Sequence, residues 1–385
     1  MTSRFDAVDV DVLRRRRTIK WTRHGPDVLA AWVAEMDFAV ADPIRAALLE
    51  AIDREDFGYV EADLSELTTA CAGFLADAYG WEVSPTRVFP VADVLAGVAG
   101  ALDVFSPAGC GVVVTTPAYP PFFEVVAWGG RMPIEVPLGV DGGRCVLDLD
   151  AIDAALAHGA RAVLLCNPQN PTGTVFTRDE LARLATIVDR HGARVVADEV
   201  HAPIVYPGHR HVPYPTVSAA AAGHSVVVTS ASKAWNIPGL KCAQVVTPAR
   251  ADAQRWRAVP LFAVPGPTPI GIAASTAAYT AGGPWLAELR DYLDDNRSRL
   301  GALLADELPD VGFRMPDATY LAWLDCTALD LGDPAGFFLE HARVALNDGP
   351  PFGTGSDAFV RLNFGTSRAL LERIVAAMGA SVRTR

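Results

Sequence analysis

The sequence predicts an α/β protein with a large domain, its mostly parallel sheet sandwiched between helices, and a smaller α+β domain at the C-terminal end. Three observations point there. Short Val-rich runs alternate with amphipathic helical stretches through the middle of the chain, the signature of strands paired in parallel through helical crossovers. Near residue 283 that alternation stops. Half of the 385 residues are hydrophobic (50%), enough for a core of this size.

Taken in order, Gly111 to Thr116 (GVVVTT), Arg161 to Cys166 (RAVLLC), Arg194 to Asp198 (RVVAD), Ser225 to Ser230 (SVVVTS) and Cys242 to Thr247 (CAQVVT) read as strands. Each is short, apolar and β-branched, as a strand buried on both faces must be. Arg178 to His191 has helical spacing, with Thr177 as N-cap and Gly192 to close it. Beyond residue 283 a long helical stretch (Trp285 to Leu303) leads into TYLAWLDC and FVRLNFG, two strands, and Ser367 to Met378 reads as the last helix. The first 45 residues are expected to pack with this end. The expected division is 1–45, 46–283 and 284–385.

A net charge of -12 argues against nucleic acid as a partner. The one basic run, Arg14 to Arg17, reads as a solvated arm or packing segment. Six cysteines stand far apart, without the close pairs of a metal site, and behave as small hydrophobes. The N-terminal residues lack an apolar core, and no run of 18 apolar residues occurs, so no membrane partner is expected and the cytoplasm is the expected location.

Basic residues number 33, yet only Lys20, Lys233 and Lys241 are lysines. Where arginine can serve, this chain uses arginine. A lysine kept against that bias is a candidate nucleophile, because guanidinium stays protonated and an amine of lowered pKa does not. Ligands of open α/β sheets bind beyond the carboxyl ends of the strands. Asn170 (in NPQNPTG), Asp198 (before Glu199 and His201) and Lys233 (in SASK) each follow such an end, 28 and 35 residues apart. Pyridoxal phosphate chemistry needs this set. A lysine condenses with the aldehyde, a carboxylate keeps the pyridine nitrogen protonated, and an amide donates to the phenolic oxygen.

From about Lys20 to Met378 the sequence resembles the fold-type I pyridoxal phosphate enzymes, and within them the cystathionine β-lyase (C-S lyase) branch of the class I/II aminotransferase-like proteins. The segments that carry the resemblance are KWTRHGPDVLAAWVAEMDF, FGY, TPAYPPFF, CNPQNPTGTVFT, ADEVHAPIVYPGHRHVP, SASKAWNIPGLKCA, TPIGIAASTAAYTAGGPWLAELRDYLDDNR, TYLAWLDC and FVRLNFGTSR. The resemblance implies an aspartate aminotransferase-like fold with a seven-stranded type of sheet. It makes Lys233 the Schiff-base lysine, Asp198 the pyridinium partner, Asn170 and His201 neighbours of the phenolic oxygen, and Tyr119 the ring that stacks on the cofactor. The phosphate falls to Val94, Leu95, Ser230, Ser232 and Lys241. Tyr59 and Thr268 reach in from the second subunit of a homodimer. Arg361 clamps the substrate carboxylate, with Val33 and Ala34 beside the substrate; Lys20 has no assigned role.

Two positions depart from the family pattern. Asp93 replaces a small residue at the phosphate loop, so it is expected to turn away and cap its helix. Pro203 replaces an acidic residue, which bears on substrate choice. The activity implied is α,β-elimination of L-cystathionine or a related cysteine S-conjugate, with Lys233 and Tyr119 as catalytic residues and a small amino acid as substrate. Transamination uses the same residues and stays open, as does a non-catalytic regulatory protein on this fold.

Overall fold

The computed structural model describes residues 3–61, 63–260 and 262–385. Seven strands form the central sheet: β1 (Val88–Val91), β2 (Gly111–Thr116), β3 (Met132–Pro137), β4 (Ala160–Cys166), β5 (Arg194–Asp198), β6 (Ser225–Thr229) and β7 (Ala243–Val246). They lie in the order β1-β7-β6-β5-β4-β2-β3. The pairs from β6 through β3 are parallel, and β7 runs antiparallel to both of its neighbours.

Alternate residues of each strand feed different cores, as a period of two requires. Val113, Val163, Leu165, Val195, Ala197 and Val227 enter one buried cluster. Val112, Val114, Leu164, Val196, Val226 and Val228 enter the other. The sheet is therefore covered on both faces. Two of its strands carry no clear signal in the sequence. β1 is four residues long and contains Pro90, and β3 (MPIEVP) is a largely exposed edge strand flanked by prolines, which only an edge tolerates.

A second, antiparallel sheet is made by β8 (Gly312–Phe313), β9 (Leu321–Asp325), β10 (Asn347–Asp348) and β11 (Phe359–Asn363), in the order β8-β9-β11-β10. Helices Gly283–Glu307 and Arg368–Arg383 bury Leu289, Leu293, Leu300, Leu371, Ile374 and Met378 in the same core as its strands. Phe5, Leu13, Trp21 and Ile44 enter that core too, as do Trp235 and Ala274 from the large unit. On that basis we propose that the chain divides near residues 45 and 283, with apolar packing continuous across the junction.

The N-terminal residues end in a strap, Trp32–Phe38, that lies across this junction. Lys20 holds it from beneath. Its Nζ lies 2.9 Å from Asp37 Oδ1 and donates at 2.9 Å to the Glu35 carbonyl, with both charged side chains buried. Trp21 Nε1 donates to the same Asp37 oxygen at 2.8 Å. Arg16 donates to the carbonyls of Asp37 and Phe38, while Arg15 and Arg17 of the same basic run are exposed. Removing one partner of a buried ion pair strands the other charge. Lys20→Ala is therefore expected to destabilise the protein by about 3–5 kcal/mol, read as a shifted denaturant midpoint.

Candidate active site

The strand order builds the site. Along the rim where β1, β6, β5, β4 and β2 end, the following residues are Asp93, Ser230 to Lys233, the terminal Asp198, Asn170 and Tyr119. Because β7 runs the other way it begins at this rim, which brings Lys241 beside Asp93. These residues line one cavity of about 180 Å³, together with Ala34, Val94, Leu95, Cys166, Val200, His201, Ser232, Pro238 and Cys242.

Within NPQNPTG the polar residues divide their work. Asn167 Oδ1 accepts from the Phe176 N–H, and Gln169 Nε2 donates to the carbonyls of Thr115 and Pro117. Both tie the loop to the sheet. Gly173 sits at φ 68°, with its position for a Cβ 2.3 Å from Pro316 Cβ, so only glycine lets the loop approach the C-terminal unit. Asn170 alone faces the cavity. Its Oδ1 accepts from Arg361 Nη1 at 3.0 Å, which leaves the Nδ2 hydrogens to donate inward.

Lys233 is half-buried, and its Nζ donates at 2.9 Å to the carbonyl of Ala34 in the strap. Burial, then the positive charge of Arg361, brings its pKa down to about 8, against the smaller pull of Asp198 and Glu35. Burial pushes Asp198 up to about 7, although the Val200 N–H and Lys233 favour its charged form. Its carboxyl is thus poised for a cationic partner. His201 is driven down to about 3 by burial and by the charges of Lys233 and Arg361, so it is neutral, with Nδ1 unpartnered. Tyr119 keeps its proton, since burial raises its pKa.

Arg361, on β11, is buried over the Phe352 ring. Besides Asn170 it donates through Nη2 to Asn347 Oδ1 at 2.6 Å and to the Trp32 carbonyl at 3.1 Å. Its Nε is buried without a partner. Burial lowers its pKa to about 10, which leaves it protonated at neutral pH.

At the other end of the cavity the helix Val94–Phe105 begins. The Asp93 carboxylate caps it, accepting from Ala96 N–H at 2.8 Å, and the Leu95 N–H also favours its charged form. Asp93 does not turn away as the sequence led us to expect. Its second oxygen pairs with Lys241 Nζ at 2.7 Å, and both residues line the cavity.

The Ser230 hydroxyl donates to the Cys242 carbonyl and accepts from Ser232 N–H, so its proton is committed to the fold. The Val33 carbonyl is taken by Asn363 Nδ2 and Glu35 N–H, which makes Val33 part of the strap's anchoring. Tyr59 is fully exposed and outside the cavity. The Thr268 hydroxyl donates to the Leu240 carbonyl and accepts from Gly271 N–H, capping its own helix. Pro203 lines a separate surface cleft with Tyr79 and Arg290, away from this cavity.

The Aminotransferase class I and II family matches residues 30–378. The chain belongs to that family. A cystathionine beta-lyase of Corynebacterium glutamicum is 39% identical over 367 residues, which cover 94% of this chain and 96% of the relative. Cystathionine beta-lyase PatB of Bacillus subtilis is 34% identical over 375 residues, covering 94% and 97%. Among solved structures, the PLP-bound C-S lyase from Staphylococcus hominis superposes with a TM-score of 0.91 at 25% identity over 99% of each chain. The seven-stranded sheet is thus the aspartate aminotransferase-like sheet of this family.

Sequence reasoning missed three residues of this family member's site. Tyr320 Oη donates to the Ala34 carbonyl at 3.0 Å, beside the Lys233 amine. Asn236, at φ 58°, exchanges hydrogen bonds with the Met36 backbone, and Asn363 Nδ2 also donates to the Glu35 carbonyl. All three fix the strap over Lys233. Asn236 had a signal, as a polar residue in an otherwise apolar AWNIPG run; the other two had none.

Lys233 in cofactor-free protein is expected to react with an acylating reagent at a rate that rises with pH, half-maximal near the pKa of about 8. Arg361→Gln removes a positive neighbour that disfavours the protonated amine. Its midpoint should move to higher pH, as peptide mapping of Lys233 across a pH series would show.

Proposed function

We propose that this chain is a pyridoxal 5′-phosphate-dependent carbon–sulfur β-lyase that splits L-cystathionine, or a related cysteine S-conjugate, by α,β-elimination into a thiol, pyruvate and ammonia. The observation that carries this reading is the Lys233 amine of lowered pKa, in one cavity with Asp198 and Asn170. Two relatives matching 94% of the chain are cystathionine beta-lyases. We place its work in the cytoplasm; no helix among the described residues is long and apolar enough to cross a membrane.

The unpartnered groups fit the cofactor. Lys233 would hold its aldehyde carbon, Asp198 its pyridine nitrogen, and Asn170 Nδ2 its phenolic oxygen, with His201 neutral alongside and the Tyr119 ring against its face. The N–H groups of Val94 and Leu95, the Ser232 hydroxyl and Lys241 are donors suited to its phosphate, at a helix N-terminus. When bound, the cofactor supplies an electron sink for the charge left when the Cα proton is removed.

The chain's own residues do the rest. Arg361 Nε, buried and unpartnered, binds the substrate α-carboxylate. The Lys233 amine, its pKa brought down to about 8 so that a useful fraction is neutral, takes the Cα proton and returns it to the departing sulfur. The Tyr119 phenol, kept protonated by burial, is a second acid. The strap closes over the amine and limits water.

We further propose a homodimer. Tyr59 is fully exposed and borders a cleft with Ile272, Ala273 and Ala277, and Phe57 is 67% exposed two residues away. The cleft also carries Glu50, Arg54, Glu55 and Glu66, and the exposed aromatic rings at its edge suit contact with a second copy of the chain, whose cavity Tyr59 would reach. With the Thr268 hydroxyl committed to its own helix, Tyr59 carries that contact.

Purified protein with pyridoxal phosphate and no keto acid is expected to release pyruvate and thiol from L-cystathionine in equal amounts. Product formation only with an added keto acid would replace this reading with transamination. Lys233→Ala should lower kcat by at least roughly 1000-fold. Arg361→Ala should raise KM roughly 10- to 100-fold, the scale of a lost hydrogen-bonded charge, with some loss of kcat because Asn170 loses its partner.

A further inference from the structure

The phosphate end of the cavity carries a carboxylate. Asp93 stands immediately before the helix Val94–Phe105, its side chain lining the cavity and capping the helix through Ala96 N–H at 2.8 Å. Helix N-termini attract anions through unpaired N–H groups and the helix dipole. Here one of those N–H groups is already held by an anionic side chain. The one cationic side chain lining this end, Lys241, lies 2.7 Å from the other Asp93 oxygen.

The fixed charge at this end is therefore close to zero. A phosphate ester above its second ionisation, near pH 6, carries two negative charges. It would meet Lys241 together with the Asp93 carboxylate, two anions competing for one ammonium group. Like charges in contact oppose each other by a few-fold to several hundred-fold in affinity, according to the local screening. A carboxylate and a phosphate oxygen escape that repulsion when one proton lies between them, as two neighbouring carboxylates do.

The groups facing Asp93 support this placement. Lys241 approaches from the loop before β7, held at φ 58° in the left-handed region, so its backbone is fixed by the fold. Tyr119 approaches from the loop after β2, and Asp93 is one of the negative charges that help keep its phenol protonated. From its own helix Asp93 meets only backbone N–H groups. With no phosphate present, burial disfavours the Asp93 carboxylate, but Lys241 and the N–H groups of Ala96 and Leu95 outweigh burial and hold its pKa below the ordinary value. It is a charged carboxylate before the cofactor arrives.

We propose that Asp93 and the phosphate of the bound cofactor share one proton, taken up from solvent on binding, so that cofactor affinity falls as pH rises through the loss of that proton. The inference rests on the reading that this cavity holds pyridoxal phosphate. It makes Asp93 a residue that weakens cofactor retention above neutral pH, where a neutral cap would not.

The test compares wild-type holoenzyme with Asp93→Asn, which keeps a good helix cap and removes the charge. Two quantities are followed between about pH 6 and 9, the range spanning the second phosphate ionisation. They are the phosphorus NMR shift of the bound cofactor and its dissociation constant. In wild type the phosphorus shift should move with pH, and in Asp93→Asn it should stay at the dianion value over the upper part of the range. The variant should bind the cofactor roughly tenfold more tightly at the alkaline end, with the two proteins converging at the acid end. Titration of Lys233 affects both proteins alike and cancels in their ratio. A wild-type shift fixed at the dianion value, or an Asp93→Asn protein that binds no more tightly, would overturn the proposal. A wild-type protein that takes up no cofactor would instead remove the reading on which it rests.

Discussion

The site depends on keeping one amine out of water. A lysine carried into a protein interior loses solvation that its charged form needs, and it yields by becoming easier to deprotonate. For Lys233 that condition is met only because three parts of the chain meet over it. The sheet supplies the loop that bears it, the strap supplies the carbonyl that accepts its hydrogen bond, and β11 supplies the guanidinium that discourages its charge. The strap has no regular structure, so it needs anchors. The Lys20–Asp37 pair, Asn236, Asn363 and Tyr320 provide them.

This division of labour explains what the sequence made legible. Lys233, Asp198 and Asn170 could be picked out because each follows a strand whose apolar run is unmistakable, and a parallel sheet places such positions on one rim. The strand order then turns their order in the chain into neighbourhood in space. β1 and β3 were hidden, the first by shortness and a proline, the second because an exposed edge has no need of the apolar run. The direction of β7 was hidden as well, since its residues look the same whichever way the strand runs.

Side-chain commitments were the least legible. Whether a serine hydroxyl is offered to a ligand or used by the fold depends on which carbonyl lies within reach, and Ser230 and Thr268 both turn out to be used. Lys20 shows the same limit from the other side. The scarcity of lysine marked it as it marked Lys233, but its partner is a buried carboxylate, and its work is to secure the strap. Asp93 joins both roles, as the cap of its helix and as the carboxylate that meets Lys241.

The antiparallel β7 has a geometric consequence. Because it returns from the far side of the sheet, residues 230–242 form one connection that carries both Lys233 and Lys241. The reach between the nucleophile and the anion-binding end is thus written into a single loop, which serves as a ruler for the bound molecule. A length change in this loop would alter both ends together, whereas length is free to vary in the exposed turns on the opposite side of the sheet.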